Sequence, residues 1–261
     1  MRDSGRDRAP NRVDLCLGMG PVAALLSPAM TAHAPREWPA GLYLIRGFMS
    51  VPHVLVDADG AVLLDTGFPW DVPRIRRTFE RLGLGPRDLK AILLTHGHID
   101  HMFSVLPVAD GYDIPAWVHP ADRDRIGDPF ATMSPEANAM VRQLGVEFAE
   151  PSDVRELTDG VRLQLAGFDV TVRHAPGHTE GSVMFETDHD GTRTLFSGDV
   201  LFSGSVGRTD LPGGDPAAMD RTLRTVVLPM ADDVVVHCGH GPSTTIGQER
   251  RSNPFLRAIS A

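Results

Sequence analysis

Short apolar runs separated by turn residues set the rhythm of this chain. Leu42–Ile45 and Val51–Val56 read as strands, Asp57-Ala58-Asp59-Gly60 as a hairpin turn, and Val62–Asp65 as the returning strand. Asp71 can cap a helix through Leu82, with Pro73 in its first turn, Gly83 beyond its end, and Ile75, Phe79 and Leu82 as its apolar face. Ala91-Ile92-Leu93-Leu94 reads as a short buried strand, and Met102 to Ala109 as a helix packed beneath the loop between them. Ala116–Val118 is a further strand, after which Pro120 and Asp122 open a helix. Ser134-Pro135-Glu136 starts another that ends at Gly145. Ala149 to Asp159 reads as a polar connection into the second half.

There the pattern returns. Val161–Leu165 and Phe168–His174 form a hairpin about Ala166-Gly167, and Ser182–Glu186 pairs with Thr194–Ser197 around Asp188-His189-Asp190-Gly191. Asp215-Pro216 opens a helix to about Val226, Val234–Val236 is the last strand, and Gln248–Leu256 is a short helix broken at Asn253-Pro254. Strands followed by helices in both halves fit a two-layer sheet core covered by helices on both outer faces.

Residues 1–38 stand apart. Arg2, Arg6, Arg8 and Arg12 alternate with Asp3, Asp7 and Asp14, Leu15 to Leu26 is mostly apolar, and Ala32-His33-Ala34 has the form of a signal-cleavage site. The acidic residues, the glycines and Pro21 weigh against export, so residues 1–38 are expected to be a disordered extension and 39–261 a catalytic domain in the cytoplasm. The chain's 261 residues, 42% hydrophobic and 23% charged, suffice for a sizeable core. A formal net charge of −9 argues against nucleic acid as the main partner, and no stretch is long and apolar enough to span a membrane. Cys16 and Cys238 make no disulfide framework.

Chemistry concentrates in Thr95-His96-Gly97-His98-Ile99-Asp100-His101, where His96, His98, Asp100 and His101 fall within six consecutive positions. In extended chain His96 and His98 project to one side, whereas the adjacent Asp100 and His101 are expected to point apart and to serve two metals rather than one. Imidazole and carboxylate without thiolate suit zinc, iron or manganese. His178, Asp199 and His240 each border an apolar strand and are flanked by glycine. Asp65 is either a turn cap or a support for a metal ligand. His119 and His174 read as structural, His189 as a solvated turn residue, and Cys238 as a small buried residue. His53 is left without a role, and His237 is read as a buttress of a strand end.

The order His-x-His-x-Asp-His, then His178, Asp199 and His240, resembles the metallo-β-lactamase superfamily over roughly residues 40–257. The resemblance implies an αββα sandwich with the site at the edge of two mixed sheets. It implies one metal on His96, His98 and His178, a second on Asp100, His101 and His240, and Asp199 bridging them. Gly204 to Asp215 is similar to a segment of the glyoxalase II and persulfide dioxygenase branch, and Gly239 to Arg250 with Asn253-Pro254-Phe255-Leu256 to short bacterial glyoxalase II-like hydrolases. The implied activity is hydrolysis of a small thioester of the S-lactoylglutathione type by a metal-bridging hydroxide, with two divalent metals, Zn(II) or else Fe or Mn. Asp100 is a ligand and a candidate proton acceptor. The alternatives are a mononuclear iron persulfide dioxygenase using His96, His178 and Asp199, and a lactonase or other ester hydrolase of the same fold.

Only 21 residues follow His240, so the helical domain that long glyoxalase II enzymes use for glutathione is not expected here. Arg250, with Arg251, is a candidate replacement. Arg208 is a candidate substrate contact, although a Gly-Arg-Thr-Asp turn can equally be locked by an Arg208–Asp210 pair. The pocket is expected among loops 47–53, 67–71 and 127–140, its occupant a small thioester or thiol conjugate, and the protein a candidate homo-oligomer.

Overall fold

Alternation along the central strands decides which side chains face which layer. The computed structural model describes residues 36–38, 41–133, 135–143, 145, 148–189 and 191–260. The first sheet contains β1 (Arg36–Trp38), β2 (Leu42–Leu44), β3 (His53–Asp57), β4 (Gly60–Leu64), β5 (Leu89–Leu93), β6 (Ala116–Val118) and β7 (Val154–Glu156), in that spatial order. Its first four strands are antiparallel, and β4 to β7 run parallel. In the second half come β8 (Arg162–Leu165), β9 (Phe168–His174), β10 (Val183–His189), β11 (Thr192–Gly198), a small ribbon of β12 (Leu201–Phe202) and β13 (Ser205–Val206), then β14 (Val235–Cys238) and β15 (Thr244–Thr245). The second sheet is ordered β15-β14-β11-β10-β9-β8.

Helices α1 (Val72–Arg81), α2 (Ile99–Met102), α3 (Val105–Tyr112), α4 (Asp124–Gly127) and α5 (Pro135–Gln143) belong to the first half. The second half carries α6 (Pro216–Thr222), continued by a wide π-type turn over Leu223–Val227, then α7 (Ile246–Ser252) and α8 (Pro254–Ser260).

Val62, Leu64 and Leu93 join Leu42 and Leu55 against Phe168, Val170, Val172, Phe185 and Phe196 of the second sheet. Their neighbours Ala61, Leu63, Ile92 and Leu94 turn the other way, onto Ile75 and Phe79 of α1 and Val105 and Val108 of α3. Met184 and Leu195 likewise turn outward, onto Met219, Leu223, Ile246 and Leu256 of α6 to α8. The result is the helix–sheet–sheet–helix sandwich implied by the sequence, built on a period of two. Strand β4 and the Ala91–Leu93 part of β5 are covered on both faces, which is why those stretches are apolar throughout.

The differences from the sequence reading have local causes. The first sheet begins at Arg36, inside the stretch assigned to the N-terminal extension, while residues 1–35 lie outside the described residues. β7 lies within the presumed 149–159 connection, and β12, β13 and β15 were not expected; strands of two or three residues are too short to show alternation. The helix expected from Met102 divides at Phe103-Ser104, where the Ser104 N–H donates to the Gly67 carbonyl at 3.2 Å. Asp71 does not cap α1 with its side chain. Its carboxylate turns back to accept the N–H groups of Phe48 and Phe68, both at 3.0 Å, tying two loops together. Asp215 caps α6 as expected, accepting from Ala217 and Ala218 at 2.8 and 3.1 Å.

Phe185 is fully buried between the sheets. Phe185→Ala should cost about 3–5 kcal/mol in guanidinium unfolding, read as a lower midpoint at unchanged slope.

Candidate metal centre

All of the sequence-predicted ligands leave the sandwich at one edge. Thr95 to His101 follow β5, and Asp65 follows β4, two parallel neighbours. In the second sheet β9 and β11 are both antiparallel to β10, and β14 is parallel to β11, so the segments carrying His178, Asp199 and His240 open together. Backbone bonds stitch the two edges. The Val183 N–H donates to Thr95 O, and the Val51 N–H to Gly239 O, both at 2.8 Å. A side chain at Gly239 would collide with Asp199 Oδ1 and His101, and one at Gly207 with the Asp199 carbonyl. Only glycine lets these loops close on the carboxylate.

The side chains converge in overlapping groups: His96, His98 and His178; His96, His101 and Asp199; Asp100, His101 and His240. His98 Nδ1 and His178 Nε2 lie 2.8 Å apart, and His101 Nε2 and His240 Nε2 3.2 Å apart. Asp199 stands between, with Oδ1 3.3 Å from His101 Nε2 and Oδ2 3.5 and 3.2 Å from Nε2 of His178 and His240. Asp100 Oδ2 lies 3.1 Å from His240 Nε2 and 3.7 Å from His101 Nε2. Asp100 and His101 therefore do not point apart as the extended-chain argument required. They sit in α2, where neighbouring residues are separated by about 100° rather than 180°, and both reach one group.

Outer nitrogens are already committed for four of the five histidines. His101 Nδ1 donates to Asp65 Oδ2, His178 Nδ1 to Arg208 O and His240 Nδ1 to Met49 O, each at 2.8 Å. His96 Nδ1 donates to Thr95 Oγ1 at 3.0 Å, and that hydroxyl donates to Asp65 Oδ2 at 2.8 Å. These bonds turn the inner nitrogens of the four rings toward one another, and His96 Nε2 is buried without a hydrogen-bond partner among the described residues. Such a donor set fits divalent metal ions of the zinc, iron or manganese type.

Asp65 is thus the ligand support rather than only a turn cap. It holds φ at 58°, a left-handed conformation that Asp tolerates better than most residues, and it also accepts the Thr95 N–H at 2.8 Å.

Electrostatics follow the same division. Burial drives His98 down to about 3, helped by the neighbouring His178, and holds His96 well below the usual histidine range. Burial also opposes charge on His101 and His240, but there the carboxylates prevail. Asp199, Asp100 and Asp65 raise His101 well above the ordinary value, and hydrogen bonds to Asp100 and Asp199 raise His240 to about 10. Without metal, protons on these two rings hold the carboxylates together.

The metallo-beta-lactamase superfamily domain matches residues 45–240. The chain belongs to the metallo-beta-lactamase superfamily. An uncharacterised protein of Mycobacterium tuberculosis is 41% identical over 229 residues, covering 85% of this chain and 97% of its own. The hydroxyacylglutathione hydrolase GloC of Haemophilus influenzae is 36% identical over 210 residues, 78% of this chain and 91% of its own. Among solved structures, the B3 metallo-beta-lactamase BLEG-1 is similar at 37% identity with a TM-score of 0.69, covering 82% of this chain and 99% of its own. TTHA1623 in a di-iron-bound form is similar at 37% identity and a TM-score of 0.64, covering 81% and 98%.

Other residues of this metallo-beta-lactamase-superfamily protein fall into place around the cluster. The loops expected to shape the pocket do meet. Phe48 packs edge-on to Trp70 at 5.3 Å, Trp70 stacks on Phe68 at 4.9 Å, and Phe68 lies in a satellite cluster with Phe103, Val141, Phe130 and Met133. Phe48 and Met49 are more than half exposed. Arg208 forks onto Asp210 at 2.7 and 2.9 Å, so its side chain locks the turn while its carbonyl orients His178. Arg250 is put to another use than substrate binding. It donates to the carbonyls of Leu228 and Met230 and pairs with Asp232, closing the open end of the turn that follows α6. His119 and His174 stack on each other at 4.1 Å, whereas His53 and His237 pack on Phe196. Cys238 is buried, and burial pushes its thiol up to about 12.

One polar residue escaped the sequence reading altogether. Asp122, taken as a helix-opening residue, is fully buried and accepts bonds from Gly97 and Thr179. The sequence carries no chemical signal for it: Asp122 lies four residues beyond β6, in the short turn Pro120–Asp122.

His240 must shed a proton held to about 10 before its Nε2 can take a metal. Zinc affinity should therefore rise with pH between 6 and 9, with at least one proton released per chain. Chelator competition at several pH values, with proton release followed by an indicator dye, checks both.

Proposed function

We propose that this protein is a metal-dependent hydrolase of small thioesters of the glyoxalase II type, converting an S-lactoylglutathione-like conjugate to a hydroxy acid and a thiol. The observation that carries the reading is Asp199, whose two carboxylate oxygens face the His101 side and the His178 and His240 side of the cluster. The similarity to a hydroxyacylglutathione hydrolase supports it. In this reading His96, His98 and His178 hold one divalent metal, Asp100, His101 and His240 a second, and Asp199 serves both. Such a pair supplies water acidified from about 15.7 towards roughly 7 and a Lewis acid for the carbonyl.

The protein's own groups do the rest. Asp65, Thr95 and the carbonyls of Arg208 and Met49 hold the imidazoles in one tautomer. Asp100 keeps 18% of its side chain exposed, which puts a carboxylate at the opening to accept a proton. Phe48 and Met49, beside His240, offer apolar surface to the acyl group or thiol carrier. With no more than a thiolate to expel, the site needs no strong general acid and no Ser-His-Asp nucleophile. The persulfide dioxygenase alternative would employ His96, His178 and Asp199 and leave Asp100, His101 and His240 gathered without a metal to hold; that second gathering favours the hydrolase. A cytoplasmic location accords with a chain that has two cysteines, of which Cys238 is free. Among the described residues no helix is long and apolar enough to cross a membrane.

The test is metal content by plasma mass spectrometry together with turnover of a thioester panel, a β-lactam and a glutathione persulfide. About two metals per chain, with thioester hydrolysis lost to chelator and restored by zinc, is the expected result. One iron per chain with oxygen consumed on the persulfide, or lactam cleavage with thioesters untouched, would overturn it. His101→Ala should lose the second metal and at least about 100-fold in kcat, since even supports behind a ligand are worth 10–100-fold.

A further inference from the structure

We propose that Asp122 is a positioning residue for the first metal group: it fixes the spacing between the His96–His98 loop and the His178 loop without touching any ligand side chain. The inference rests on reading His96, His98 and His178 as a metal site.

Asp122 is completely buried. Its Oδ2 accepts the Gly97 N–H and the Thr179 hydroxyl, both at 2.7 Å, and its Oδ1 accepts the Gly181 N–H at 3.0 Å. Gly97 lies between His96 and His98, and Thr179 follows His178 directly. One carboxylate therefore joins two loops that come from different sheets and are 80 residues apart at the His98–His178 contact. Both glycines are pressed onto this anchor. A Cβ on Gly181 would lie 2.6 Å from Asp122 Cγ, and one on Gly97 2.6 Å from Arg125 Cδ. Arg125, itself buried, balances the charge with Nε at 3.2 Å from Oδ1 and reaches Glu180 at 2.9 Å. Ser182 adds a brace, its hydroxyl 2.8 Å from that of Thr179.

The two buried carboxylates at the sheet edge thus divide the work. Asp65 bonds His101 and Thr95, so it serves the second group directly and His96 through the Thr95 hydroxyl. Asp122 sets how far apart the first group's two loops stand. Side chain to side chain, His98 and His178 are joined by their Nδ1···Nε2 contact at 2.8 Å, which a metal taking both nitrogens must replace, and without Asp122 the two backbones would be free to relax apart. Metal binding would then have to draw the loops back, lowering affinity. Loss of Asp122 should weaken the first group selectively.

The test is zinc binding to the full-length metal-free chain, by competition with a chromophoric chelator, beside its thermal melting. Asp122→Asn should weaken one binding step about 10–100-fold, the same step that His98→Ala abolishes, and leave the other within about threefold. Asp65→Asn, which keeps a residue tolerant of positive φ, should act mainly on the other step. Thr179→Val should weaken the Asp122-dependent step to a smaller degree. A melting temperature lowered in Asp122→Asn with both steps at wild-type affinity would overturn the proposal, as would Asp122→Asn and Asp65→Asn acting equally on one step. A wild-type chain taking up a single zinc would remove the binuclear reading. Asp122 would still be decided by that one step, which Asp122→Asn must weaken at least about tenfold for the proposal to stand.

Discussion

Five imidazoles and two carboxylates crowded together in a buried site are what the rest of this structure is arranged to hold, and it does so by fixing the opposite nitrogens of four of the rings. The acceptors that do so are a left-handed aspartate after β4, a threonine hydroxyl, and the main-chain carbonyls of Met49 and Arg208. Apart from Thr95, each is remote in sequence from the ring it orients, so the cluster forms only when the sandwich has closed. What the fold gains from packing is partly spent in holding these groups close, and a bound cation relieves the tension.

The sandwich is suited to this because its strands deliver loops to a shared edge. Parallel β4, β5 and β6 end there from one sheet, and β9, β11 and β14 from the other. The inter-sheet layer of Leu64, Leu93, Phe185 and Phe196 sets the distance between those ends, and the Val183–Thr95 backbone bond registers them. The geometry of the centre is therefore a property of core packing as much as of the ligands, and small shifts in the core reach it through rigid strands.

The candidate ligands were the most legible part of the chain. Histidine and aspartate at fixed spacing after an apolar run declare a metal site, and the glycines beside His178, Asp199 and His240 mark close approach. The second layer was half legible. Asp65 could be suspected from its strand-end position, but Asp122 could not, because its partners Gly97, Thr179 and Gly181 offer mostly backbone N–H groups, which leave no trace in side-chain identity. Arg250 illustrates the opposite error. An arginine near a site invites a substrate role, but the carbonyls left open after α6 claim it. Strands of five or more residues were found as apolar runs between turn residues, whereas β7, β12, β13 and β15 depend on tertiary pairing alone.

Cys238 lies two residues before His240, at the end of β14, and its thiol keeps its proton up to about 12. At neutral pH it presents almost no thiolate, and the thiolate is the form that attacks acyl groups and oxidants. A nucleophile within two residues of a reactive centre is in this way disarmed by its surroundings. Cys238 thus adds neither an acylation site nor an oxidation site beside the cluster.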